Sequence, residues 1–263
     1  MPKLLLPQIS WIIGLTTCIL IASLLLLHPH VGVAEEEQVL LVERHVSGDI
    51  AYNAFFDTRS QAVYGGVTYD YLSTEGVEAY IAFSRTASQA IGQRSEGIVP
   101  IKVIFSHPLA QGAFEQFAQT YAVEVQSYTI RAVEPNGMRV TISGGPEGGI
   151  IVPPHLLKLV TSDITERSAT EVKGWIEAVI TTTPQNLARM QRDPDVFVTE
   201  AAYTLISDAF TAENLARAGA TQAAIADIQA QHNRSVQITG PSLYWILEDA
   251  GLVPLPVHTQ AEM

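Results

Sequence analysis

The chain has 263 residues, of which 47% are hydrophobic and 16% are charged, and its formal net charge is −12 at pH 7. This apolar share is large enough to form a core, which argues against disorder over the whole chain. An excess of acids repels phosphate backbones and anionic lipid head groups, and no cluster of lysine or arginine in the sequence offsets it. We therefore expect no nucleic-acid partner.

The N-terminal segment is predicted to enter the membrane. Residues 1–8 hold one base, Lys3, and residues 9–27 form an apolar run without any charge. As a helix this run would be about 28 Å long, close to the hydrocarbon thickness of a bilayer. The positive end of such a segment stays inside the cell, so residues 1–8 are a cytoplasmic n-region and the bulk of the chain is extracytoplasmic. Residues 28–37 follow as a juxtamembrane linker.

Two outcomes are open for this segment. The length of the apolar run favours an uncleaved signal anchor, which makes the chain a single-pass protein of the cell membrane. Small residues at Gly32 and Ala34 instead fit cleavage after Ala34, after which the remainder would be secreted. The only cysteine, Cys18, lies inside the apolar run and outside any lipobox, so the exported part has no disulfide within it.

Residues 38–96 give a mixed, partly helical signal. Their first few residues fit either a short strand or the start of a helix. Gly65-Gly66 indicates a turn or a flexible break in the chain. Cap-type residues from Ser73 onward, followed by apolar residues at helical spacing, predict a helix that ends near Gly92.

Residues 97–203 carry the clearest pattern, in which strands and helices alternate. A strand at Ile98–Phe105, a helix at Leu109–Tyr121 and a β-rich run at Val123–Val133 come first. An extension and an insertion follow, and then a second strand, helix and strand. This order fits an α+β, ferredoxin-like (split βαβ) sandwich with an insertion, whose two helices cover one face of the sheet. The later elements are predicted as a turn at Glu134–Gly137, a strand at Met138–Ile142, a loop at Ser143–Gly149, a short helix from Pro153, a strand at Trp175–Thr182, a helix from Pro184 and a strand at Val196–Val198.

Residues 204–263 are predicted to be a helical C-terminal extension with a loose tail. Thr211 as a cap and Gly219 as a stop bound one helix, and Thr221 starts another. A third helix is predicted at Pro241–Ala250. It presents an apolar face that we expect to pack on the sheet.

No motif in the sequence predicts a catalytic, cofactor-binding or metal-binding residue. The nucleophile elbow, the zinc-protease motif, the phosphate-binding loop and the calcium loop are all missing from it. His107 is predicted to end a strand and His155 to start a helix. An active site built on them would need the fold to bring them to an acid such as Asp163 or Glu115.

Three functions follow as hypotheses. The leading one is a membrane-anchored, non-catalytic interaction module that binds a protein of the cell envelope. Second, the element order of residues 97–203 resembles that of the propeptide-like inhibitor domains of subtilisin-type proteases. This resemblance implies a protease-binding function through a sheet face or an extended tail. The third is an extracytoplasmic enzyme whose active-site residues are dispersed along the chain.

Overall fold

The computed structural model describes residues 39–160, 169–230, 237–239 and 242–257. They form an α+β protein with two sheets and eight helices, and they belong to one compact unit. The predicted membrane segment at 9–27 lies outside these residues. Within the described ranges, no helix is long and apolar enough to span a membrane.

The elements follow one another along the chain with short connections. In chain order the strands are β1 (Val39–Ser47), β2 (Ile50–Asp57), β3 (Ala62–Thr68), β4 (Val99–Leu109), β5 (Glu124–Val133), β6 (Arg139–Gly144), β7 (Glu171–Thr182), β8 (Val196–Glu200) and β9 (Gln237–Thr239). The helices are α1 (Thr74–Gly92), α2 (Gln111–Thr120), α3 (Pro154–Lys158), α4 (Pro184–Met190), α5 (Ala202–Ala209), α6 (Ala212–Arg217), α7 (Gln222–Ala230) and α8 (Leu243–Asp249).

The larger sheet has five strands in the order β6-β5-β7-β4-β8, and every neighbouring pair in it is antiparallel. Strand β7 separates β4 from β5, which are joined through α2. Strand β4 likewise separates β7 from β8, which are joined through α4. Each strand–helix–strand unit therefore has one strand of the other unit inserted between its own two strands. Strand β6 lies outside β5 at one end of the sheet.

One face of the five-stranded sheet carries the largest hydrophobic cluster. Side chains of a strand alternate between the two faces of a sheet, and the predicted inward residues of β4 are buried on this face. Phe105 meets Phe114 and Phe117 of α2 edge-on, with ring centres 6.1 and 5.2 Å apart. Leu187 and Met190 of helix α4 are buried in the same cluster. The four inward residues of β4 are Val99, Ile101, Val103 and Phe105.

The opposite face of the same sheet is covered by α1 and α8. The predicted apolar face of α8 is buried there against Ile104, Ile176 and Val198 of the sheet. Helix α1 also covers the outer edge of β8, since Ser88 Oγ donates to the carbonyl of Thr199 at 2.8 Å. Both faces of the sheet are thus closed to solvent over much of their area. The buried residues of α8 on this face are Leu243, Tyr244, Ile246 and Leu247.

The smaller sheet has the order β1-β2-β3-β9, with antiparallel pairs except for the short parallel pair of β3 and β9. The first residues of the mixed segment are therefore a strand, and the sequence analysis did not distinguish β2 and β3. The interpretation of Gly65-Gly66 as a turn or break is wrong, because both glycines pair with β2 in the middle of β3. A side chain at Gly65 would meet Ile206 of α5, whose Cγ2 lies 2.6 Å from the ideal Cβ position.

This contact predicts that a side chain at Gly65 destabilises the protein, and the neighbouring Gly66 serves as the control. Gly65→Ala should lower the free energy of unfolding by about 1–3 kcal/mol, because it overpacks the cluster around the fully buried Ile206. Gly66→Ala has open space at its Cβ position and should change stability by less than about 1 kcal/mol. Urea unfolding of both variants followed by circular dichroism measures the difference. Equal stability of the two variants would contradict the packing reason given for Gly65.

Candidate functional site

A groove of about 600 Å³ opens between the start of α1 and α8. We call it the α1–α8 groove. Its volume lies in the range of pockets that bind small ligands or the side chains of a partner. Its walls are mostly apolar and aromatic, with a few polar groups. The side chains that shape it are Tyr71, Leu72 and Val77 on one side, Trp245 and Ile246 on the other, and Thr141 at the β6 end.

The rim on the α1 side is a fixed turn that displays two apolar side chains. Asp70 accepts a hydrogen bond from the Leu72 amide at 3.1 Å and one from the Ser73 hydroxyl at 2.6 Å. Ser73 in turn caps α1 by accepting from the Gly76 amide at 3.1 Å. The turn leaves Tyr71 50% exposed and Leu72 86% exposed. Because this turn is held by its own hydrogen bonds, the two side chains are presented to solvent by a rigid support.

The opposite wall is built around Trp245 of α8. Its indole nitrogen donates to Thr141 Oγ1 at 2.6 Å, which ties the helix to strand β6. The guanidinium carbons of Arg131 and Arg139 each lie 4.6 Å from the centre of the Trp245 ring, a cation–π geometry. Trp245 is therefore fixed in orientation by two strands of the sheet while it lines the groove.

A buried ion cluster lies behind this wall. Arg131 of β5 donates to both carboxylate oxygens of Glu248, at 3.1 and 2.7 Å, and the side chains of both residues are fully buried. Arg139 of β6 donates to Glu248 at 2.8 Å and to Asp249 at 2.6 Å. A fork-to-fork pair of this kind sets one relative position of the helix and the strand.

The electrostatics of the cluster favour a structural role. Burial raises the pKa of Glu248 above its usual value, although the guanidiniums of Arg131 and Arg139 act against this rise. Burial also lowers the pKa of Arg131, against the pull of Glu248. Desolvation thus costs both partners, and a buried pair of this type contributes more to the choice of one packing arrangement than to net stability. The Glu248 side chain has no exposed area, so a substrate in the groove cannot reach its carboxylate.

A second polar cluster lies under α1 on the same face of the sheet. Lys102 Nζ is 3.7 Å from Glu200 Oε2, and the Tyr80 hydroxyl donates to the other oxygen of Glu200. Burial acts against the charged ammonium, but the neighbouring carboxylates, Glu200 foremost, raise the pKa of Lys102 above its usual value. Lys102 is therefore a charged ion-pair partner. A lysine that acts as a nucleophile or a general base needs the opposite shift, because only the neutral amine attacks or accepts a proton.

One surface arrangement contains the residue types of a hydrolytic triad. Ser106 Oγ lies 3.0 Å from His107 Nδ1, and His107 Nε2 lies 3.9 Å from Asp195 Oδ1. The Ser106 hydroxyl, however, donates to the carbonyl of Pro194 at 2.9 Å. The carbonyl of Pro194 thus competes with the imidazole for the single hydroxyl proton, which the imidazole has to accept in order to activate the oxygen. The imidazole of His107 and the carboxylate of Asp195 are about half exposed, so these side chains lie at the surface, where the end of β4 meets the start of β8.

The second histidine considered from sequence lies elsewhere. His155 is 3.4 Å from Glu147, and both side chains are strongly exposed. Glu115 accepts a hydrogen bond from Gln111 on its own helix, and Asp163 lies outside the described residues. His107 and His155 therefore have separate acidic partners. In the described ranges, no group of three or more His, Cys, Asp or Glu side chains is placed to hold a metal ion.

The groove residues were missed by the sequence analysis. Tyr71 and Leu72 come just before the predicted helix cap at Ser73, and the helical pattern does not include them. Trp245 lies within the predicted helix Pro241–Ala250 but is not one of the residues predicted to form its buried apolar face. The sequence does contain one signal for the buried ion pair behind the groove. Arg131 and Glu248 are charged residues on otherwise apolar faces, and a lone charge in such a position needs a buried partner.

No protein-family model, no characterised protein and no solved structure matches this chain.

The ion cluster generates a prediction on neighbouring residues. Glu248→Ala should lower the free energy of unfolding by about 3–5 kcal/mol, because it leaves the fully buried Arg131 without its counter-charge. Asp249→Ala removes a carboxylate that is 63% exposed and should cost less than about 1 kcal/mol. Thermal unfolding of the two variants beside the parent protein makes the comparison. A similar loss in both would mean that Arg131 and Glu248 do not form the main tie between α8 and the sheet.

Proposed function

We propose that this protein is a membrane-anchored, extracytoplasmic interaction module without catalytic activity, and that the α1–α8 groove is where it receives a protein of the cell envelope. The predicted anchor at residues 9–27 would hold the folded part at the outer side of the membrane. The linker at 28–37 would lead directly into β1, which begins at Val39.

The groove is the observation that carries this proposal. Tyr71 and Leu72 are held in exposed positions by a bonded turn, and Trp245 is fixed opposite them by Thr141 and two arginines. Tyrosine and tryptophan on a rigid support are typical anchors of protein interfaces, since they bury large areas at small loss of conformational entropy. Exposed apolar side chains beside a preformed groove favour binding over chemistry.

The titratable groups of the described residues support the non-catalytic part of the proposal. Lys102 and Glu248 are held in ion pairs, and the Ser106 hydroxyl is shared between its histidine and the carbonyl of Pro194. An enzyme with a dispersed active site would need a nucleophile and a base with open positions in a shared depression. The depression formed by the α1–α8 groove is lined by apolar and hydroxyl side chains and by Asp249, whose partner is Arg139.

We also assign residues 97–203 to a ferredoxin-like, split βαβ sandwich. The strand order β5-β7-β4-β8, with α2 and α4 on one face, supports this assignment. Strand β6 and helix α3 would be the insertion. Segments 38–96 and 204–263 would then serve as covers for the second face, through α1 and α8 respectively.

The protease-binding alternative is less well supported. It was motivated by the element order of residues 97–203 and would use a sheet face or an extended tail. Both faces of the five-stranded sheet are covered by helices in the described structure, α2 and α4 on one side and α1 and α8 on the other. A protease-binding function would therefore have to rely on a tail or an edge strand.

Site-specific photo-crosslinking in the native cells tests the proposal. A photoreactive phenylalanine analogue at Leu72 should give one major, saturable crosslinked protein, because that side chain borders the groove. The same analogue at Leu41, an exposed leucine on β1, is the matched control and should give no such product. The proposal fails if position 72 gives no protein adduct, or if both positions give the same adducts.

A further inference from the structure

A second, acidic depression adjoins the α1–α8 groove. It has a volume of about 240 Å³ and shares Ser73 with the groove as a lining residue. Three exposed carboxylates, those of Asp49, Asp70 and Glu75, line it. None of the described residues that line either depression is a lysine or an arginine. An apolar site and an acidic site therefore lie side by side, separated by the capped first turn of α1.

These carboxylates keep their charge open to a partner. Asp249, on the groove side, forms an ion pair with Arg139. Within the described residues, Asp49, Asp70 and Glu75 form no ion pair. The hydrogen bonds that Asp70 accepts, first from the Ser73 hydroxyl and then from the Leu72 amide, stabilise its ionised form, so its pKa lies below its usual value. A basic side chain placed here would meet unneutralised negative charge.

An anionic ligand does not fit this place, although the start of a helix often attracts one. The amide of Gly76 in the first turn of α1 is already capped by Ser73 Oγ. The carboxylate of Glu75 in the same turn already complements the positive end of the helix. The acidic balance of the whole chain acts in the same direction, against anions and anionic membrane surfaces.

We propose that the segment received by the α1–α8 groove is a peptide stretch of the partner protein that carries an apolar side chain next to a lysine or arginine. The apolar side chain enters the groove between Leu72 and Trp245. The basic side chain reaches across the cap at Ser73 to the carboxylates of Asp49 and Glu75. This inference rests on the proposed function, because it names the chemistry of the segment that the same groove receives.

The test uses the full chain in nanodiscs of neutral phosphatidylcholine and three fluorescein-labelled hexapeptides. The first alternates leucine and lysine, the second leucine and glutamate, and the third serine and lysine. Fluorescence anisotropy should show binding of the leucine–lysine peptide, with affinity that falls as salt is added. The other two peptides should bind at least tenfold more weakly, since each lacks one of the two matched properties.

Variants separate the two parts of the site. Leu72→Asn should weaken binding of the leucine–lysine peptide about tenfold, because it removes apolar area from the rim. Asp49→Asn and Glu75→Gln should each weaken it about threefold, as expected for an exposed charge pair. Leu41→Asn and Glu96→Gln are the matched controls, on β1 and beyond the other end of α1, and should leave the affinity unchanged. All these side chains are exposed, so the fold does not depend on them.

The outcomes distinguish this inference from the function on which it rests. If the leucine–glutamate peptide binds as tightly as the leucine–lysine peptide, and Leu72→Asn abolishes that binding, the requirement for a basic side chain is wrong. The groove then remains a docking site. Binding of the serine–lysine peptide with undiminished affinity would overturn the apolar requirement. Absence of binding by all three peptides, together with absence of a crosslink at position 72 in cells, would overturn both proposals.

Discussion

The ion pair of Arg131 and Glu248 is the interaction on which the second face of the sheet depends. A charged side chain with no exposed area has to find its counter-charge inside the protein, and the two oxygens of Glu248 meet the two nitrogens of Arg131 in only one arrangement. A slide or rotation of α8 on the sheet would displace Glu248 and leave the buried guanidinium of Arg131 unpaired, which costs about 3–5 kcal/mol. The pair therefore fixes the position of the helix, and apolar burial supplies most of the attraction.

The groove is a consequence of this fixed position. Once α8 is held against β5 and β6, Trp245 stands between the arginines and Thr141, and its ring faces the start of α1 across open space. The turn from Asp70 to Ser73 is set independently, by local hydrogen bonds and the cap of α1. Two hydrogen-bonded walls thus arise from distant parts of the chain, and the groove that we propose as a docking site is already open between them. Such preorganisation reduces the entropic cost of binding.

The elements that depend on local pattern were predicted well from the sequence. Alternation in β4 placed Val103 and Phe105 in the core, and threonine before Pro184 marked the start of α4. These features are decided by neighbours along the chain. The meander of β1, β2 and β3 was only partly recognised, because the glycines in β3 look like a break. Their meaning depends on Ile206, some 140 residues later in the sequence.

The groove was beyond sequence reasoning for the same physical reason. Its walls come from the 70–73 turn and from α8, which are far apart in the sequence. No residue pattern in either segment predicts that the two face each other. The charges at Arg131 and Glu248, on otherwise apolar faces, are the one signal of a buried pair, but several residues of opposite sign could match each of them. The function could not be predicted from the sequence for the same reason, because the α1–α8 groove is defined by its shape and by the exposure of its side chains. No motif of spaced catalytic residues accompanies it in the described structure.

We propose that the α1–α8 groove faces the outside of the cell and is occupied there by a partner protein. The most direct measurement is the labelling rate of a Leu72→Cys thiol by a membrane-impermeant maleimide, with Leu41→Cys as reference and Cys18 replaced by serine in both. In intact native cells both thiols should react, but the one at position 72 should react several-fold more slowly relative to the reference than it does in the purified chain. An unchanged ratio of the two rates, or labelling only after the cells are opened, would contradict the account.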